Sequence, residues 1–188
     1  MKLSGSYQIN LEKQKVWEAL NNPEILKKSI PGCEEFKKNS ENEFSATATN
    51  KIGPFNATFT GDIELKDLNP PNSYKISGSG NSPVGFANGE ASVTLEDFEG
   101  GTKLSYTVEA NVGGKIAQVG SRLIDMTAKK MADIFFGKFS ELISVKTINT
   151  KIEETEKNKI PTKKKPMNKI ILISSTIIIV GIILYYIS

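Results

Sequence analysis

The sequence predicts an α+β fold: a curved antiparallel sheet of about seven strands wrapped around one long helix. Three observations carry this reading. Alternating apolar positions recur in segment after segment, separated by short Gly, Pro and Asn turns. Two short helical stretches intervene after the first strand. At Lys115 the apolar period lengthens from that of a strand to that of a helix.

The elements follow in order. Lys2–Leu11 alternates Leu3, Gly5, Tyr7, Ile9 and Leu11 and reads as the first strand. Glu12–Asn21 places Val16, Trp17 and Leu20 at helical spacing, and Pro23 opens a second short helix reaching about Ser29. Pro31-Gly32 then turns the chain. Six alternating segments follow: Glu34–Lys38, Glu43–Ile52, Phe55–Leu68, Ser73–Gly80, Gly85–Phe98 and Thr102–Val112. Their connections are short enough to join antiparallel neighbours. Lys115–Ile143 reads as one amphipathic helix, with Ile116, Val119, Leu123, Met126, Met131, Ile134, Phe135 and Leu142 on its apolar side. A sheet curled around a terminal helix is a helix grip.

The remainder reads as linker and anchor. Residues 1–144 form the helix-grip domain, 145–168 a charged linker with Pro161 and Pro166, and 169–188 a transmembrane anchor. Ile170–Ile187 is a run of uncharged residues rich in isoleucine, about the length that crosses a hydrocarbon core as a helix. Lys163, Lys164, Lys165 and Lys169 precede it, so the positive-inside rule places the N-terminal domain on the cytoplasmic side of the cell membrane.

Composition excludes several chemistries. There is no histidine, hence no Ser-His-Asp triad, histidine base or histidine metal site. The lone Cys33 forms no intrachain disulfide. Residues 1–144 hold sixteen basic against eighteen acidic side chains, whereas the rest holds eight lysines against three glutamates. A slightly acidic body argues against nucleic-acid binding.

The sheet's inner face carries the functional hint. Alternation collects Ala46, Ala48, Ala57, Phe59, Gly61, Gly78, Tyr106 and Ala110 on one side. Small side chains beneath a bulky helix leave apolar volume, and Val119, Leu123, Met126, Met131, Ile134 and Phe135 are expected to close it from the helix. These fourteen residues are the candidate ligand site. The alternative is that Gly61, Gly78 and Gly80 bend the strands and helix side chains fill the space.

Other motifs carry less. Gly78–Gly89 lacks nucleotide-loop spacing, because Pro83 stands where a third glycine belongs. Gly113-Gly114-Lys115 lacks the spacing of a phosphate loop and reads as a turn into the helix. Cys33 has no second cysteine or histidine to activate it. Glu34-Glu35 and Glu96-Asp97 read as solvated surface. No catalytic or metal constellation emerges, and an enzyme of cyclase type would have to rely on Tyr7, Tyr106 or carboxylates.

Seven motifs in order (MKLSGSY, KVWEALNNPEIL, SIPGCEEF, KIGPF, LNPPNSY, VGGKIAQVGSRLID and TAKKMADIFF) resemble the carbon monoxide dehydrogenase CoxG-like family of the START-like, SRPBCC superfamily. The resemblance spans about Met1–Leu142 and implies the same helix-grip fold. It also implies an accessory, non-enzymatic role: recruiting a molybdenum hydroxylase of the CO dehydrogenase type to the cytoplasmic membrane. An apolar ligand such as a quinone or lipid is expected in the cavity, with no intrinsic cofactor. A general lipid carrier unconnected with CO dehydrogenase is the alternative.

Overall fold

The computed structural model describes the backbone of residues 1–157 and the side chains of residues 1–144. The compact unit runs from Met1 to Lys151. The apolar run at 170–187 and most of the linker lie outside the described residues. Among the described residues, no helix is long and apolar enough to cross a membrane.

The element order is β1 (Lys2–Ile9), α1 (Lys13–Leu20), α2 (Pro23–Ser29), β2 (Cys33–Lys38), β3 (Glu43–Ile52), β4 (Phe55–Asn69), β5 (Ser73–Ser82), β6 (Gly85–Phe98), β7 (Gly101–Gly113) and α3 (Ser121–Lys157). The strands form one seven-stranded antiparallel sheet in the order β1-β7-β6-β5-β4-β3-β2. It is a meander from β2 to β7 with β1 added beside β7.

Local chemistry sets the helix ends. Asn22 caps α2, its side-chain oxygen accepting from the backbone N–H groups of Glu24 (3.0 Å) and Ile25 (3.3 Å). Pro23 occupies the first turn, where its missing N–H costs nothing, and Lys27 and Lys28 complement the helix dipole in the last turn. Asn21 closes α1 by donating to the Trp17 carbonyl at 2.9 Å.

The core fills the end of the sheet covered by α1 and α2. Val16 and Phe139 are fully buried, and Leu104, Phe44, Leu95 and Ile143 are nearly so. Trp17 meets Tyr74 edge-on at 5.3 Å, and Phe136 stacks on Tyr7 at 4.2 Å. Phe135 packs against both Phe136 and Phe139.

The long helix departs from the expected one in two ways. It does not begin at Lys115. A 3₁₀ turn covers Lys115–Val119, and Gly120, at φ 88°, breaks it from α3. That conformation lies in the left-handed region, which only glycine adopts freely. The buried stripe of α3 also differs from the expected one. Ile124, Thr127, Ala128, Met131, Ala132, Phe135, Phe136, Phe139 and Ile143 are shielded at helical spacing. Leu123, Met126 and Ile134 are exposed instead, and Leu142 is half-buried. Met126 is 61% exposed. The expected apolar side joined residues from two faces of the helix, because apolar residues occur on both.

Candidate ligand cavity

The register of the sheet brings small residues into rows across its inner face. Ala46 pairs with Gly61, Gly61 with Gly80, and Gly80 with Ala87. A second row runs Ile63, Gly78, Gly89, Ala110. At the hairpin end of these rows the first half of α3 lies over the sheet, and its side chains facing the strands are short. Between the two surfaces is a cavity of about 320 Å³.

Its walls are almost wholly carbon. The sheet contributes Ala48, Ile52, Phe59, Gly80, Ala87, Ala110 and Val112, the 3₁₀ turn Ile116, and α3 Ile124, Ala128 and Met131. Two polar side chains also line it, and both are engaged locally. Asn50 donates to the Pro31 carbonyl at 3.1 Å, and Thr127 donates to the Leu123 carbonyl at 2.8 Å. A ligand here meets methyl, methylene and phenyl groups and few free hydrogen-bonding groups.

Of the expected site residues, the structure brings Ala48, Phe59, Ala110 and Met131 together in this cavity. Phe135 lines a separate apolar cavity of about 190 Å³ with Phe36, Phe44, Ile63, Ile76 and Phe136, nearer the core. Ala57 and Tyr106 are buried, Tyr106 against Tyr7 and Phe136. Ala46 is half-buried opposite Gly61. Gly78 borders a polar depression of about 500 Å³ with Asp62, Glu64, Ser77 and Asn88, whose side chains point to the outer face.

Three helix residues need correction. Leu123, Met126 and Ile134 do not close the cavity, since they are exposed on the other side of α3. Val119 and Leu123 lie beside Gly53 at the β3–β4 turn instead. Sequence reasoning missed Ile124, Thr127, Ala128, Ala87 and Val112. The last two continue the alternation of β6 and β7 and were legible. The helix residues would have followed from counting back in helical steps from Phe139.

The glycines divide between the two readings. A Cβ on Gly61 would run into the Ser79 carbonyl oxygen, so close strand approach requires glycine there. At Gly80 and Gly78 the nearest atoms would be 3.9 and 3.7 Å away. No backbone contact forbids a side chain at either position, and Gly80 opens directly onto the cavity.

The reactive groups form no catalytic set. The Tyr7 hydroxyl donates to Asp133 at 2.5 Å, and burial, with this bond second, raises its pKa above the usual tyrosine value. Burial alone raises Tyr74. Burial also raises the Cys33 thiol, against an opposing pull from Lys27, and its Sγ donates to the Glu35 carbonyl at 3.3 Å. That thiol is not poised as a nucleophile. Among the described residues, no group of three or more His, Cys, Asp or Glu side chains could hold a metal ion.

The comparisons agree with this architecture. The family model of carbon monoxide dehydrogenase CoxG matches residues 5–144. A conserved protein from Geobacillus kaustophilus is 32% identical, with a TM-score of 0.73 over 77% of this chain and 95% of its own. Protein Ms6760 from Mycobacterium smegmatis (15% identity, TM-score 0.60) covers 77% of this chain and 92% of its own. TTHA0849 from Thermus thermophilus (12%, 0.59) covers 77% and 98%. These two share the fold. No curated protein matches the chain. From residue 5 to residue 144, this chain belongs to the CoxG family of carbon monoxide dehydrogenase.

Proposed function

We propose that the protein is a membrane-tethered accessory protein that carries an apolar ligand, such as a quinone, between its sheet and α3. In the same reading it recruits a molybdenum hydroxylase of the CO dehydrogenase type to the cytoplasmic face of the membrane. The carbon-walled cavity of about 320 Å³ is the observation that carries the ligand half. Its volume falls at the lower end of the range for small-molecule sites, about 300–1,000 Å³. It suits a ring system and a short length of attached chain rather than a whole polyisoprenoid.

Family membership and the tail support the recruitment half. The apolar run at 170–187 behind its lysines would hold the domain at the bilayer. A hydroxylase held there could pass electrons to a membrane-soluble acceptor over a short path. The role is non-enzymatic: the cavity offers no converging acid and base, and its two polar side chains are bonded to backbone carbonyls.

The test is purification of the full chain from native membranes, followed by solvent extraction and mass spectrometry of small molecules and co-purifying chains. A quinone and a molybdenum hydroxylase are the expected finds. A phospholipid or fatty acid without a hydroxylase would favour the general carrier. An empty protein that still brings down a hydroxylase would leave recruitment alone. Deleting residues 163–188 is expected to release a folded protein from the membrane fraction.

A further inference from the structure

The two ends of the sheet differ in charge. At one end, the β2–β3, β4–β5 and β6–β7 connections bring Glu41, Glu43, Asp67, Glu96, Asp97 and Glu99 together with few cations. The other end holds the β3–β4 turn, the β5–β6 turn and the passage from β7 into α3. No Asp or Glu occurs from Phe44 to Gly61, from Gly78 to Gly89, or from Ala110 to Ile124. These stretches carry Lys51, Lys115 and Arg122, all exposed, and none in an ion pair among the described residues. On a body whose acidic side chains outnumber its basic ones, this end is cationic.

The structure gathers those three stretches at one place. The Ile116 N–H donates to the Val84 carbonyl at 3.0 Å, and Gly53 lies against Val119 and Leu123. The cavity lies at this same end, walled by Ile52, Val112 and Ile116 beside the turns. Large apolar side chains stand out there as well: Phe86 and Leu123, each more than one-third exposed, and Met126. Apolar groups in solvent beside unpaired cations, with no carboxylates among them, match the layering of an anionic bilayer surface. The cations meet the headgroups and the apolar side chains enter the acyl boundary.

We propose that this end docks on anionic lipid, setting the cavity against the membrane from which an apolar ligand would enter. The inference deepens the carrier reading and rests on it for its purpose, but its test needs no ligand. Residues 1–151 serve as the test protein. They contain the whole buried core, and the Geobacillus protein, matched over 95% of its length, consists of little more than this domain. Co-sedimentation is measured with phosphatidylcholine vesicles, with and without phosphatidylglycerol.

The fragment is expected to bind the anionic vesicles, to release as salt rises, and to ignore pure phosphatidylcholine. Reversing Lys51→Glu, Lys115→Glu and Arg122→Glu together should weaken binding by about tenfold or more. Leu123→Ser with Met126→Ser should weaken it by several-fold. Reversing Lys27→Glu and Lys28→Glu on α2 should change it little. Melting temperature is followed for each variant, and a Lys/Arg→Gln set repeats the first measurement with milder changes. Equal binding to both vesicle types, unchanged binding by the reversed or Gln variants, or loss only with the α2 variant would overturn the proposal. Vesicle binding without any quinone in the extraction experiment would remove the quinone assignment and leave the docking surface intact.

Discussion

Tyr7 on β1 donates its hydroxyl to Asp133 on α3 at 2.5 Å, joining residues 126 positions apart, with Phe136 stacked on the same ring. This bond fixes the helix to the sheet strand formed by the chain's first residues. Tyr7→Phe keeps the stacking and loses the bond, and should cost about 1 kcal/mol at neutral pH by chemical denaturation. Asp133→Asn in the Tyr7→Phe background should then cost little more, because the coupled partner is already gone.

The same residue sets an alkaline limit. Tyr7 and Tyr74 both have pKa values raised by burial in the folded protein. The folded state therefore holds these protons after the unfolded chain would release them. The contribution is complete below the ordinary tyrosine pKa of about 10 and is lost as pH climbs above it. Denaturation midpoints should fall steadily above about pH 10, and more gently in Tyr7→Phe and Tyr74→Phe. Identical slopes in parent and variants would remove these tyrosines as the cause.

Gly61 and Gly80 face each other across β4 and β5, yet they should respond oppositely to alanine. Gly61→Ala drives a methyl into the Ser79 carbonyl and should cost about 1–3 kcal/mol. Gly80→Ala places the same methyl in open cavity and should be neutral or mildly stabilising, by up to about 1 kcal/mol. Thermal unfolding of the two variants side by side decides the matter.

Ala110 and Ala57 separate cavity filling from overpacking. Ala110 lines the cavity, whereas Ala57 is buried outside its lining. Ala110→Trp is expected to abolish binding of a quinone analogue while melting stays near that of the parent. Ala57→Trp should lower stability by about 1–3 kcal/mol. Analogue binding by fluorescence and melting temperature, read on the same samples, would show a failure as equal melting losses in both.

The two faces of α3 predict a sharp contrast. Phe139→Ala empties a fully buried site between helix and sheet and should cost about 3–5 kcal/mol. Met126→Ala removes a mostly exposed side chain and should change stability by no more than about 0.5 kcal/mol. Urea titration of both variants checks it.

The sequence by itself determined the elements and their order. Alternation in the strands is local and strict, because each pleat sends successive side chains to opposite faces. Every strand therefore appeared within a few residues of its place, and Phe44, Ala46 and Ala48 fell correctly opposite Ile63, Gly61 and Phe59. The motifs shared with the CoxG family were equally legible. The face of α3 was not. Leu123, Met126 and Ile134 are as apolar as Ile124, Met131, Phe139 and Ile143, so composition alone could not say which stripe meets the sheet. That depends on where Gly120 ends the 3₁₀ turn and starts the helix, a backbone angle with no periodic signature. Nor could alternation tell Gly61, which the Ser79 carbonyl demands, from Gly80, which leaves room for a ligand. That difference depends on the distance between neighbouring strands, which only the assembled sheet decides.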